Sequence, residues 1–423
     1  MPSSSQRVAS VRFILATLVI DALGFGMVVP IVPELVVKLS GLSVAGASVW
    51  VGALLAAFAL MQFLCAPVLG ALSDRFGRRP VLLLSLSGIC VNYLLLAWAP
   101  SLAWLFLGRL IAGATAANAS TANAYIADVT PPAQRASRFG LVGAMFGIGF
   151  VLGPAFGGIL GVYHLRLPFL VAAGLAFCNV MYGLLVLPES LPPARRRAIE
   201  WRRANVFGSL HTLVADRRLG RLAAAWCANW FALGALPSSF VLANQLRFGW
   251  DTQHNGLALA MAGLGSAVVQ GLLVRRIVAR LGERRAAVIG GAFLASGYFC
   301  QAVAPAGGFV LLGIALQALG AIASPAIQGM VSASAAADRQ GETQGALSSL
   351  QGLTAIVSPI GAAGLFALFT HPRIFVHFPG APFLASSVAC GLGCWAIYGL
   401  RVRPEPAAAV VPGGGRRVPE QNS

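Results

Sequence analysis

Charge is what this sequence has least of. Asp, Glu, Lys and Arg make up 10% of its 423 residues, against roughly 25% in soluble proteins. A soluble globule of this length could not cover its surface with so few ionisable groups. Disorder is excluded from the other direction, because disordered chains are poor in apolar residues and this one is 57% hydrophobic. Lysine is nearly absent, with Lys38 alone among 30 basic residues. His164, His211, His254, His371 and His377 show no HxxxH or HExxH spacing, so no metal-hydrolase signature is present. The seven cysteines make no CxxC pair and sit in apolar stretches, where they read as small buried hydrophobes. No clustered nucleophiles suggest an enzyme, and no filter-like segment suggests a channel.

What is there in quantity is long apolar runs. A span needs about 20 apolar residues, and twelve such segments can be counted, at 11–33, 48–71, 80–99, 101–126, 138–162, 165–187, 221–243, 255–276, 286–304, 307–329, 343–368 and 380–400. The first carries Asp21, Pro30 and Pro33 and is too long for a signal peptide, so it reads as a retained first span. Between the sixth and seventh lies an arginine-rich polar stretch. The expected organisation is a six-helix bundle over 1–188, a linker over 189–220, a second six-helix bundle over 221–403 and a disordered tail over 404–423. With the N-terminus inside, the inner segments hold 25 basic residues and the outer loops 4. That bias puts both termini in the cytoplasm and accounts for the net charge of +17 without nucleic acid. An internal repeat appears at an offset of 205 residues, pairing Arg75-Phe76-Gly77 with Arg280-Leu281-Gly282, Leu107-Gly108 with Leu312-Gly313, and Pro154 with Pro359. The fold class expected is therefore an all-α membrane protein of 12 transmembrane helices in two pseudo-symmetric bundles, with a substrate site between them.

Few residues inside the spans carry chemistry. Asp21 is the only acidic residue deep in a span. An unpaired charge at the bilayer centre costs roughly 2.5–3.5 kcal/mol, so Asp21 is a candidate proton or cation site, with a structural buried acid as the competing reading. Arg109, the only basic residue within a span, either polarises a proton-carrying water, binds an anionic group or anchors packing. Gln62, Asn92, Asn118 and Asn123 are embedded amides that either meet substrate or tie helices together. On the expected cytoplasmic side, Gly70, Asp74, Arg75, Gly77, Arg78 and Arg79 form a loop in which glycine permits a tight turn. Asp74 there either pairs with arginine or caps a helix. Such a loop acts as a latch between the halves or only sets topology.

The pattern G-x-L-S-D-R-x-G-R-R over residues 70–79 resembles the signature of the major facilitator superfamily. Arg109 and Gly113 resemble a second signature in span four. Gly149, Gly153, Pro154, Gly157 and Gly158 match the G-x-x-x-G-P-x-x-G-G of its drug/proton antiporters. The likeness extends to the tetracycline efflux proteins through Asp21-Ala22-Leu23-Gly24-Phe25-Gly26, Leu60 to Gly70, Ala124-Tyr125-Ile126-Ala127-Asp128, Leu281 to Arg285, and Gln340-Gly341 with Gln344-Gly345. The resemblance implies proton-coupled efflux of a tetracycline-like amphipathic drug across a bacterial inner membrane by alternating access. It implies no resident cofactor, a proton gradient as the drive, a divalent cation carried with the drug, and a monomer. It also implies a conformational role and a proton seal for the Gly153-Pro154 step, and a pairing of Arg78 with Asp128. The sequence departs where those exporters carry ionisable residues in spans three, eight and nine. The matching positions here are Asn92, Ser266 and Ala295, which keeps export of a different small molecule as the alternative.

Overall fold

The computed structural model describes residues 4–196, 216–334, 340–372, 374 and 376–400. The middle of the expected linker and the expected tail lie outside the described residues. Among those residues there are helices and no strands. Span one is Ser4–Val28 followed by Val32–Ser40, bent by 43° at the break. Spans two and three are Val44–Phe76 and Arg78–Trp98. Span four is split into Leu102–Ala114 and Asn118–Val129, and spans five and six are Pro132–Tyr163 and Leu167–Val186. Span seven is Arg217–Phe248. Span eight runs from Thr252 to Leu281 through a π segment at Val269–Leu273. Span nine is Glu283–Val303, span ten is Gly307–Gly320 with Ala323–Ser334, and spans eleven and twelve are Gln340–Thr370 and Ala381–Tyr398. Among the described residues eleven helices are long and apolar enough to cross a bilayer, and the bent first pair, taken as one span, makes a twelfth. The chain is a multi-pass membrane protein.

Helix is the expected answer wherever the backbone must satisfy its own N–H and C=O groups in hydrocarbon. The ends follow local chemistry. Pro30 has no N–H to continue span one, and Gly41 closes it at φ 63°. Asp216 caps span seven by accepting from the Arg218 and Leu219 amides, and Asp251 caps span eight by accepting from His254.

The 205-residue repeat is written into the backbone. Gly77 and Gly282 join successive spans at φ 110° and 76°, a region that favours glycine. Ser101 and Ala306 precede the fourth and tenth spans with almost the same angles, φ −152° and ψ 168° against φ −150° and ψ 160°. Spans four and ten both break in the middle, at 115–117 and 321–322. Pro67 of span two corresponds to a position inside the π segment of span eight. Arg79 donates to the Leu184 carbonyl at the end of span six, and its counterpart Arg284 donates to the Tyr398 carbonyl at the end of span twelve.

The two sets of six spans meet along two seams. On one, Ser48 Oγ of span two donates to the Ala363 carbonyl of span eleven at 3.2 Å. A Cβ on Gly52 would lie 2.6 Å from Pro359 O. Further along, Gly352 packs on Phe63. On the other seam, Thr252 Oγ1 donates to the Gly158 carbonyl at 3.4 Å, and Val151 packs on Gly263. Heptad spacing continues these faces to Gly345 on span eleven and to Gly147 and Gly143 on span five. There a Cβ would meet nothing within 4 Å. Both seams are therefore closed at the end holding the 41–43 and 249–251 connections and parted toward the end holding the 77 and 282 turns.

Span five carries the expected antiporter glycines on two faces. Gly149, Gly153 and Gly157 lie against the backbone of span one, where a Cβ on Gly153 would sit 2.6 Å from Leu23 O and one on Gly157 would strike the Met27 carbonyl. Gly158 faces span eight. Pro154 lies within an unbroken helix, and its ring packs at Gly26. In this conformation the Gly153-Pro154 step is a packing surface, with no break in the helix at that point. Overpacking a close contact costs about 1–3 kcal/mol. Gly157→Val is expected to lower the thermal midpoint in detergent, whereas Gly143→Ala leaves it unchanged or slightly raised. Thermal unfolding of the two variants checks this, and equal midpoints would contradict it.

Candidate membrane-embedded site

Asp21 stands midway along span one, partly shielded from solvent. Asn118 Nδ2 donates to its Oδ2 at 2.6 Å. A hydrogen bond to a charged group contributes roughly 1.5–3 kcal/mol, comparable with the cost of placing the carboxylate in the membrane. Asn118 reaches it because it opens the second half of span four, just past the break at 115–117. First-turn amides of a helix have no intrahelical partner, so this break brings a positive helix end inside the membrane. The break itself is held by Thr115, whose Oγ1 donates to the Ile111 carbonyl at 2.9 Å.

Tyr93 of span three completes the setting. It is buried, lies within electrostatic reach of both Asp21 and Arg109, and packs over Gly24, one turn beyond Asp21. Arg109 is 5% exposed. Among the described residues no ion pair joins it to Asp21, and its Nη2 has no hydrogen-bond partner. Asn92 is buried beside Gly108, with its Oδ1 likewise unpartnered. Asn118 Oδ1 and Thr121 Oγ1 are also buried without partners among the described residues. Spans one, three and four thus hold one carboxylate and one guanidinium, each within electrostatic reach of Tyr93, together with several unused polar atoms. Arg109 also lines a cleft whose other walls are apolar, from Phe25 to Pro33 of span one, Val51, Leu54 and Leu55 of span two, and Pro237 of span seven.

The four amides divide. Asn92 and Asn118 belong to the buried cluster, while Gln62 and Asn123 are exposed. Gln62 lies two turns from Leu55 on the same face of span two, so it follows the cleft. Asn123 shares its exposed face with Ala119 and Ser120, on the side of span four away from Asn118. Ser266 and Ala295 lie in the second six spans. The positions equivalent to Asp21 and Arg109 there are Trp226 and Ile314, so neither embedded charge has a counterpart in the second six.

The 70–79 segment differs from its expected form. Gly70 lies within span two, and the turn is made by Gly77 alone. A glycine between good helix formers does not break a helix that tertiary packing holds. Arg78 pairs with Asp74 at 2.6 Å and with Asp128 at 3.2 Å, as expected for the second partner, and also donates to Ser73 Oγ. Arg75 lies over the Phe76 ring at 5.2 Å. Asp74 does not cap span three. Glu189 does, accepting from the Arg78 and Arg79 amides at 2.8 and 3.2 Å. These partners all come from the first six spans or the residues just after them, so among the described residues the segment makes no latch between the two halves in this conformation.

Glu189 and Tyr93 were not singled out from the sequence. An acid directly after a span, beside the basic stretch, was the available signal for Glu189. Removing it leaves two helix-end amides unpaired, at about 1–3 kcal/mol. Glu189→Ala is expected to lower the thermal midpoint and to speed amide exchange at residues 78–80. Hydrogen-exchange mass spectrometry checks this, and unchanged exchange there would contradict it.

The profile of the Major Facilitator Superfamily matches residues 14–300 and 248–420. Tetracycline resistance protein, class C, of Escherichia coli is 41% identical over 358 residues, covering 84% of this chain and 89% of that protein. Tetracycline resistance protein, class H, of Pasteurella multocida is 31% identical, covering 95% and 98%. Among solved structures, the human organic anion transporter MFSD10 (TETRAN) superposes with a TM-score of 0.69 at 25% identity. That match covers 94% of this chain and all of the other.

Proposed function

From a chain that belongs to the Major Facilitator Superfamily, and within it to the tetracycline resistance proteins, we propose proton-coupled efflux of a tetracycline-like drug. The likeness at 41% identity over 84% of the chain carries this reading. The alternative, a different small molecule as cargo, is not favoured by these relatives. The basic end, with 25 basic residues against 4, faces the cytoplasm. Both termini are then cytoplasmic, the membrane is the bacterial inner membrane, and the parted seams open inward. The chain works as a monomer and needs no resident cofactor; a divalent cation enters with the drug as cargo.

Asp21 carries the proton. It is the acid placed where span four breaks, beside a donor that steadies its charged form. Drug entering from the cytoplasm finds the seams parted and displaces that proton. Closure at the 77 and 282 turns and parting at the opposite end then release the drug outward. A proton returning to Asp21 resets the cycle. One inward proton gains about 2.3 kcal/mol per 100 mV of membrane potential, enough to bias the return. Gly149, Gly153, Pro154, Gly157 and Gly158 keep the outer ends tight and the proton path sealed. Gly70, Asp74, Arg75, Gly77, Arg78, Arg79 and Asp128 form the cytoplasmic gate, whose second-half contacts arise as the inner end closes. Arg109 is the cationic partner of the same site, with Gln62, Asn92, Asn118 and Asn123 around the drug's route.

The test is expression in a drug-sensitive bacterium with measurement of energised tetracycline efflux. Wild type is expected to protect the cells, to lose protection when the proton gradient is collapsed, and to lose it with Asp21→Asn. Efflux that survives either change would contradict the reading.

A further inference from the structure

Two arginines meet at the end of span twelve. Arg221 of span seven donates from Nη1 to the Gly399 carbonyl at 3.0 Å, and Arg284 of span nine donates to the neighbouring Tyr398 carbonyl. Arg284 also lies over the Tyr398 ring, 5.7 Å from its centre. A helix C-terminus offers about half a negative charge, and each guanidinium carries several N–H donors. Two full positive charges therefore share one partial negative end, with donors to spare. Among the described residues no carboxylate pairs with either guanidinium. The first half neutralises its own turn differently. There Arg78 has Asp74 and Asp128, and Glu189 accepts from the Arg78 and Arg79 amides. The positions 205 residues on from Asp74 and Asp128 are Ala279 and Ala333, and Arg78 is matched by Glu283, which turns to Gly329 of span ten. Arg221 is an added charge, since its matching position is Ala16.

We propose that Arg221 and Arg284 hold the phosphate of an anionic phospholipid from the cytoplasmic leaflet. The apolar part of such a lipid has a place beside them. Val388, Leu392 and Trp395 of span twelve are 54%, 61% and 75% exposed, and they share one helix face with Gly399. A Cβ on Gly399 would lie 3.1 Å from Arg221 Nη1, so the guanidinium stands at the end of that stripe. From Val388 to Gly399 the helix rises about 16 Å, close to half of the roughly 30 Å hydrocarbon core. An acyl chain laid on the stripe thus brings its headgroup level with the two arginines. Trp395 and Tyr398, both exposed, are the amphipathic rings that belong at that depth. Guanidinium forks match phosphate oxygens, and basic pockets between spans on the cytoplasmic side suit acidic headgroups. A lipid seated there ties spans seven, nine and twelve together at their inner ends. The inference goes beyond the efflux reading and rests only on its orientation, with the basic end in the cytoplasm.

Lipid titration followed by native mass spectrometry tests this on the full chain in a neutral detergent. The probes are dioleoylphosphatidylglycerol, dioleoylphosphatidylcholine and inorganic phosphate. The two lipids share their chains and differ in net charge, and phosphate has the anion without the chains. A charge-assisted hydrogen bond corresponds to about tenfold or more in affinity. Phosphatidylglycerol is expected to bind at least that much tighter than phosphatidylcholine, and phosphate at equal concentration is expected not to displace it. Arg221→Gln combined with Arg284→Gln abolishes the preference. Arg275→Gln combined with Arg276→Gln, at two exposed positions of span eight, keeps it. Equal binding of the two lipids, displacement by phosphate, a preference that survives loss of the pair, or equal loss in both double variants overturns the proposal. Should the first double variant fail to fold, Arg221→Gln alone decides, because Arg284 then still holds the Tyr398 carbonyl. A preference that falls severalfold supports the site, and an unchanged one overturns it. Orientation is scored separately, by protease access to an N-terminal tag in intact cells. A tag cut from outside in a chain that prefers the anionic lipid refutes the orientation alone. A protected tag in a chain without that preference refutes the lipid site alone.

Discussion

Hydrocarbon offers no water to a buried charge, and the arrangement of the first six spans follows from that constraint. Asp21 costs several kcal/mol on its own in the bilayer. The fold meets the cost with the amide of Asn118 at 2.6 Å and with a break in span four after which Asn118 opens a new helix. An unbroken span four would keep its first-turn amides occupied, and a small apolar residue at 118 would leave the acid without a donor. A carboxylate held in this way can exist with or without its proton, which a transport cycle requires and a structural acid does not.

Duplication supplied the frame and divergence supplied the chemistry. The halves share turns at Gly77 and Gly282, breaks in spans four and ten, and matching caps by Arg79 and Arg284. They do not share the charges placed inside the spans. Where the first half has Asp21 and Arg109, the second has Trp226 and Ile314. Trp226 donates its indole N–H to the Leu347 carbonyl, a use that binds span seven to span eleven. The first half thus carries the two charges placed deep in the spans, and the second has none at the matching positions. The tight glycine seams make that motion discrete, because backbones in contact at Gly52 and Gly158 can separate but cannot compress.

Much of this was legible in the sequence, because desolvation of a backbone is a coarse signal. Twenty apolar residues in hydrocarbon must be helical, so the spans and the repeat could be read from hydrophobic runs and an offset. Asp21 and Arg109 stood out for the same reason, as charges where charge is expensive. The partners were not legible. Glu189 caps Arg78 from 111 positions away, and no local pattern encodes such a contact. Gly70 looked like a turn because glycine permits one, whereas tertiary packing kept it helical and left the turn to Gly77. The four amides looked alike in sequence, and only helix orientation separates Asn92 and Asn118, which are buried, from Gln62 and Asn123, which are exposed.

The most direct measurement is proton release on drug binding. Purified protein in weakly buffered detergent is mixed with tetracycline at a pH where Asp21 holds its proton, and the pH change is followed with a dye. Wild type is predicted to release a proton as the drug binds, and Asp21→Asn to bind drug and release none. Equal release from both proteins would place the exchanged proton elsewhere and contradict the account.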